Sequence, residues 1–335
     1  MINNKEKISW LPKKLNNGWI YIDHPGKNFH STNTLKYLCN KYQHSSEKEW
    51  NNRIRRGEIK INDKRIWADQ ILCLNDTLSW EREPWEEDSV PSNFKIIYDD
   101  GDLFVIDKPS GIPVTPGGGF LNHTITNLLK SKSKENGNLD YPIPIHRLGR
   151  FTSGVLLCAR RKETRASISE HLRYHYSSSK CLQRIYRGIA KANPSLETNQ
   201  SIEITTPIYK QKNEKLRYIW NSKKKLNQGQ YNSPEKVLSA FTKVKLLEKR
   251  KKEDLLEIYI SSGRPHQIRI HLASIGTPLI GDKLYKENGN LSELSRPGEG
   301  GYILHCHKIE NIIIKNKLLS FEAPLPYQLK ILTQN

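Results

Sequence analysis

Pro144-Ile-Pro-Ile-His-Arg-Leu-Gly-Arg-Phe-Thr-Ser-Gly-Val-Leu-Leu-Cys-Ala-Arg160 is the run that decides how the rest of this 335-residue chain is read. Its second half, Val155 to Ala159, is unbroken apolar sequence between Gly154 and Arg160, the pattern of a strand buried on both faces. Within it Cys158 fits a core position better than a nucleophile. The first half gathers His146, Arg147, Arg150 and Thr152 without a single carboxylate, because positions 149 to 151 are Gly, Arg and Phe.

Outward from that run the strands continue. Phe94 to Pro109 reads as two apolar strands around a turn at Asp100-Gly101. Leu255 to Gly276 begins as an apolar strand, breaks at Ser261-Ser-Gly263, and resumes at helical spacing. Pro265 suits the first helical position and Gly276 the residue past the end. Ile268, Leu272 and Ile275 then form the buried stripe, with His266 and Arg269 on the opposite face and Arg264 at the helix mouth. Two guanidiniums and an imidazole at a strand-to-helix junction suit a phosphate or a carboxylate.

Metal and nucleotide motifs fare worse. His266 and His271 are five apart, where two ligands on one helix face want three or four. His305-Cys306-His307 offers two ligands on one strand face and no third. Thr115-Pro-Gly-Gly-Gly119 lacks the Lys-Ser/Thr ending of a phosphate-binding loop. No metal and no cofactor is expected.

The N-terminal third reads differently. Ser46-Glu-Lys-Glu49 is a capping box, followed by Trp50, Ile54 and Gly57 at helical spacing. A hairpin follows, with Ile59 and Ile61 alternating before Asn62-Asp63, and a further strand runs over Leu74 to Trp80. Arg53, Arg55, Arg56, Lys60, Lys64 and Arg65 crowd this unit, as basic side chains do along a phosphate backbone. The order of elements resembles the small αL-type RNA-binding fold shared with a ribosomal small-subunit protein. Glu81 to Ser92 is acidic with two prolines, the composition of a linker. The expected layout is a small αL-type domain over 15–83, a linker over 84–92 and a larger domain over 93–333.

The whole chain carries 54 Lys+Arg against 35 Asp+Glu, a formal charge of +19. Such an excess favours a polyanionic partner through counterion release. Roughly a third of it is read as solvated Lys, as in Lys223-Lys-Lys225 and Lys249-Arg-Lys-Lys252 of a Lys-rich insert over about 207–252. Five scattered cysteines, Cys39, Cys73, Cys158, Cys181 and Cys306, argue against a disulfide framework and for a reducing compartment. No apolar run approaches the roughly 18 residues of a spanning helix, so no membrane is expected; the cytoplasm is the expected location, with an organelle left open.

Five motifs, in order, resemble the RluA-type pseudouridine synthases. Asp107-Lys-Pro-Ser-Gly111 looks like the family's Lys-Pro-x-Gly element, and His146 to Gly154 like its catalytic signature. Arg184-Ile-Tyr186-Arg-Gly is similar to the Lys-x-Tyr-x-Ala element. Gly263 to His271, with Gly276 to Tyr285, resembles the third motif, and Leu304-His-Cys-His307 with Phe321 to Pro326 the family's ending. One residue departs: the signature normally reads His-Arg-Leu-Asp, and Gly149 stands where the catalytic Asp belongs, as in a branch with His-Arg-Leu-Gly-Arg.

The resemblance implies an α+β pseudouridine synthase fold with a mixed, mainly antiparallel central sheet. It also implies isomerisation of uridines in structured rRNA or tRNA by base flipping, without cofactor. By carry-over Tyr186 packs on the flipped base and helps remove the proton from carbon 5, and Arg269 pairs with a catalytic acid. Arg147, Arg150, Thr152, Arg264 and His266, with Arg53 and Arg56 in the small domain, are the RNA-binding candidates. For the missing carboxylate three readings stand open. An acid from elsewhere fills the gap, with Asp140, Asp100, Asp102 or Asp107 preferred over Asp282; the protein binds RNA without modifying it; or the substrate or Tyr186 assists. Without a counter-ion Arg269 would be a poorly compensated buried charge.

Overall fold

The Ser46 hydroxyl accepts from the Glu49 N–H at 3.3 Å while the Glu49 carboxylate accepts from the Ser46 N–H at 2.6 Å, so the capping box starts a helix where the sequence placed one. The structure is a computed structural model describing residues 9–42, 44–137, 140–173, 182–213, 217–222, 236–292, 295, 298–314 and 317–332. Lys223–Lys225 and Cys181 lie outside the described residues. The chain divides into two compact units, one of Lys13–Glu87 with Gln211–Ile219 and the other of the described residues of Met1–Pro12, Asp88–Lys210 and Trp220–Asn335.

The smaller unit holds β1 (Trp19–Asp23), α1 (Thr34–Lys41), α2 (Glu47–Arg55), β2 (Ile59–Ile61), β3 (Lys64–Arg65) and β4 (Leu78–Arg82). Its sheet runs β1-β4-β2-β3, all antiparallel. Asn62 and Asp63 both take positive φ, the turn that suits the twist of a two-residue hairpin loop. Trp50, Ile54 and Leu38 from the helices meet Ile59, Leu78 and Trp80 from the sheet in one core. The basic cluster is largely satisfied from within. Arg53 lies over the rings of Trp50 and Trp80 at 4.5 and 4.8 Å, Arg56 pairs with Glu58 at 2.7 Å, and Lys60 and Arg65 share Glu81. The 84–92 stretch carries strand pairs: Glu86–Glu87 with Lys14–Leu15, and Val90–Pro91 with Trp10–Leu11.

The larger unit is built on β5 (Lys95–Asp99), β6 (Leu103–Lys108), α3 (Ile125–Glu135), β7 (Thr152–Ala159), α4 (Lys162–His171), β8 (Gln183–Lys191), β9 (Ser201–Ile204), β10 (Thr242–Arg250), β11 (Glu253–Ile260), α5 (Gln267–Ser274), β12 (Leu304–Ile314) and β13 (Lys317–Glu322). The sheet order is β9-β10-β11-β8-β12-β7-β6-β5, with Ile143–Pro144 added to β7 and β13 to β12. β7 and β12 are parallel and the other pairings antiparallel, giving the mixed, mainly antiparallel α+β fold expected from the sequence. Val155 to Ala159 are fully buried at its centre, Cys158 opposite Phe104. Val155, Leu156 and Leu157 each contribute roughly 1.5–3 kcal/mol of burial.

The parallel pair positions the site. Thr152 aligns with Leu304 and Gly154 with Cys306, so the loop before β7 and the residues before β12 emerge side by side. Gly154 makes this approach possible: its φ is +104°, and a Cβ there would run into the Cys306 backbone, whose nitrogen would lie 2.8 Å away. Among the described residues no helix is long and apolar enough to cross a membrane.

Candidate active site

Between the loop before β7, the middle of β8, the end of β11 and the start of α5 lies a cleft of about 470 Å³, within the range of small-molecule sites. Tyr186 lies on β8, paired with Cys306 on one side and Ile258 on the other, and the register places its ring against the cleft wall. Burial, then the Cys306 sulfur beside it, pushes its phenol well above the ordinary value. Thr152, Arg269, His266 and Gly149 line the same space.

The entry to α5 differs from the expectation. Pro265 is not the first helical residue; His266 takes a left-handed conformation, φ 54°, and the helix starts at Gln267. Gln267 explains the break. Its buried amide accepts from the Ser262 hydroxyl and the Arg264 N–H and donates to the Phe241 carbonyl and Thr242 hydroxyl, holding the chain below the first turn. All eight helical residues are buried, so α5 has no polar face. His266 nonetheless reaches the cleft. Tyr285 gives its proton to the Trp220 carbonyl at 2.9 Å, so the 2.7 Å contact makes His266 Nδ1 the donor. Burial and the nearby Arg269 push this imidazole down to about 3, leaving Nε2 as an acceptor. His271 is turned away, its Nε2 donating to the Thr206 carbonyl at 2.9 Å. Among the described residues no cluster of side chains could hold a metal ion.

Arg269 is 4 % exposed and bound in two places by Asp282, Nε to Oδ2 at 2.6 Å and Nη2 to Oδ1 at 2.8 Å. Asp282, less favoured from the sequence than Asp140, Asp100, Asp102 or Asp107, is therefore its counter-ion, and the buried charge is compensated. Burial alone would lower this guanidinium, but the Asp282 hydrogen bonds outweigh it and raise it further. The rings of Tyr285 and Tyr302 flank it at 4.8 and 4.5 Å. The other candidate acids serve elsewhere. Asp102 caps α4 through the Arg161 N–H and Thr164 hydroxyl, Asp100 holds the hairpin turn, and neither Asp107 nor Asp140 lines the cleft.

No carboxylate is among the lining residues, whereas Arg147, Arg173, Arg184, Arg264 and Arg269 are. Arg147 is exposed at the mouth. Arg264 donates to the Ser239 carbonyl at 2.9 Å. Arg150 is not brought to the cleft: its Nε donates to the Gly111 carbonyl and its plane lies over Phe120 and Phe151 at 4.4 and 5.1 Å. Arg53 and Arg56 lie in the smaller unit.

Two residues carry more of the site than the sequence reading gave them. Arg184, 5 % exposed, donates to the Ser261 carbonyl at 3.0 Å, pairs with no acid among the described residues, and leaves Nε without a partner. Burial first, then Arg264 nearby, lowers its guanidinium. Tyr302 is 3 % exposed and fills the corner next to Gly149. The alternation of β8 placed Arg184 and Tyr186 on one face and could have flagged the first; nothing local marks the second.

A family model described as RNA pseudouridylate synthase matches residues 102–274. The chain is 34 % identical over 302 residues to an uncharacterised RNA pseudouridine synthase of Synechocystis, covering 88 % of this chain and 94 % of that one. It is 31 % identical over 360 residues to RNA pseudouridine synthase 5 of Arabidopsis thaliana, covering 93 % and 94 %. In fold it is similar to human RNA pseudouridylate synthase domain containing 1, with a TM-score of 0.52 at 20 % identity over 71 % of this chain and 87 % of that one.

Proposed function

The chain belongs to the RNA pseudouridine synthase family, and from that premise we propose that it isomerises uridine to pseudouridine within RNA, acting on particular uridines of structured rRNA or tRNA. The observation that carries this is one cleft in which Tyr186, Thr152 and Arg269, from three separated motifs, meet beneath a rim of arginines.

A base cannot react while stacked, so the target must leave the helix and enter the cleft. Arg147 and Arg264 hold flanking phosphates, which contributes affinity without reading sequence. The everted ring lies against Tyr186, whose phenol burial keeps neutral, and the His266 Nε2 faces it as an acceptor. Thr152 sits at the floor. Arg269, its charge already matched by Asp282, acts as a fixed wall and not as a free cation. Domain roles follow the same reading: residues 15–83 form an αL-type RNA-binding domain and 93–333 the synthase domain. Arg53 and Arg56, held against Trp50, Trp80 and Glu58, steer RNA through the outer edges of their guanidiniums. Arg150 holds the loop at Gly111 in place of touching RNA. The site of action is the cytoplasm.

Tritium release from RNA labelled at carbon 5 of uridine tests the function directly. Wild-type protein should release tritium from rRNA or tRNA, and Tyr186→Phe should lose at least about a hundredfold, the order of a positioned acid–base group. No release from either RNA pool would leave an RNA-binding protein that keeps the fold without the reaction.

A further inference from the structure

The corner of the cleft at Gly149 is filled by a side chain from the segment leading into β12. Gly149 does not need its lack of a side chain for backbone reasons, since its φ is not in the left-handed region. It needs it for space. A Cβ on Gly149 would overlap the Tyr302 hydroxyl and lie 3.3 Å from Thr152 Oγ1 and 3.5 Å from Tyr302 Cζ. The parallel pairing of β7 with β12 delivers Tyr302 to this point, two residues before Leu304 as Gly149 is three before Thr152. The ring is fixed by the Arg269 guanidinium at 4.5 Å and by Phe151 edge-on at 5.8 Å.

Resting on the function proposed above, we propose that the Tyr302 hydroxyl occupies the place the family signature gives to a carboxylate, and touches the everted nucleotide there as a hydrogen-bond donor. The phenolic oxygen already accepts from the Thr152 hydroxyl at 3.4 Å. With Thr152 as donor in that contact, the phenol's own proton is left to offer. Burial, opposed by the Arg269 charge, holds the phenol above its ordinary value, so that proton stays in place at neutral pH. A carboxylate there would only accept; Tyr302 donates, to an acceptor oxygen of the ribose or base. A side chain at position 149 and the Tyr302 hydroxyl cannot both occupy this corner.

The test is a four-protein comparison of wild type, Tyr302→Phe, Gly149→Asp and the double variant, with tritium release, RNA affinity and thermal midpoint measured on the full chain. Tyr302→Phe should stay folded and lose at least tenfold in kcat/KM, a larger change than in its RNA Kd. Gly149→Asp should lose both midpoint and activity, because its Cβ meets the hydroxyl. In the double variant the colliding oxygen is gone, so the midpoint should recover and the activity should exceed that of either single variant. A Tyr302→Phe enzyme as active as wild type overturns the inference, as does a double variant no better than Gly149→Asp in both readouts. An inactive wild type defeats the proposed function and this inference with it, whereas an active wild type with an indifferent Tyr302 defeats this inference alone.

Discussion

Replacing Asp282 by Asn should unfold the larger unit more readily than any other single-atom-scale change near the cleft. Asp282 Oδ2 accepts from Arg269 Nε, and Oδ1 accepts from Arg269 Nη2 and from the Leu284 and Tyr285 N–H groups at 2.9 and 3.0 Å. Asparagine keeps an oxygen for one set but turns an N–H₂ toward the guanidinium, leaving a buried cation without its charge partner. Breaking a buried pair in this way costs about 3–5 kcal/mol. At roughly 2–4 °C per kcal/mol for a unit of this size, the midpoint should fall by roughly 6–20 °C. Calorimetry of the full chain at neutral pH reads it. The control is Arg269→Met with Asp282→Leu, which removes both charges and should be milder than Asp282→Asn alone. A fall of less than about 3 °C for Asp282→Asn, near 1 kcal/mol on that scale, would refute the claim that Asp282 compensates Arg269.

RNA affinity should fall steeply with salt, and Arg147→Ala should reduce the slope of log Kd against log salt by about 1 while weakening all RNAs alike; an unchanged slope would remove Arg147 from the phosphate contacts. His146 and His266 are pushed down to about 3 and His305 to about 4, in each case first by burial, so the folded protein keeps them neutral where the unfolded chain protonates near 6.5. Their contribution is intact above 6.5 and is lost as pH falls from there toward 4, with unfolding taking up as many as about three protons; urea midpoints that stay level between pH 7 and 5 would contradict this. In the smaller unit Ser46→Ala removes one arm of the capping box and should cost about 1 kcal/mol, read as faster amide exchange confined to α2, and unchanged exchange would mean the cap is idle.

What the sequence made legible follows how local the signal was. The capping box at Ser46, the hairpin turns at Asn62-Asp63 and Asp100-Gly101, and the buried strand at Val155 to Ala159 depend on neighbours in the chain, and all are present. The α5 entry was misplaced because Gln267 reaches across to Phe241 and Thr242, contacts no helical period encodes. Asp282 was underrated for a related reason: thirteen residues from Arg269, it is brought under the guanidinium by the turn after α5. Tyr302 was invisible because its relation to Gly149 exists only through the β7–β12 pairing, between segments about 150 residues apart.

The Arg184 guanidinium is buried in the cleft wall with no acid beside it among the described residues, which costs the folded protein free energy. If RNA fills the cleft that Arg184 lines, a phosphate near this guanidinium should offset that cost and add to the affinity.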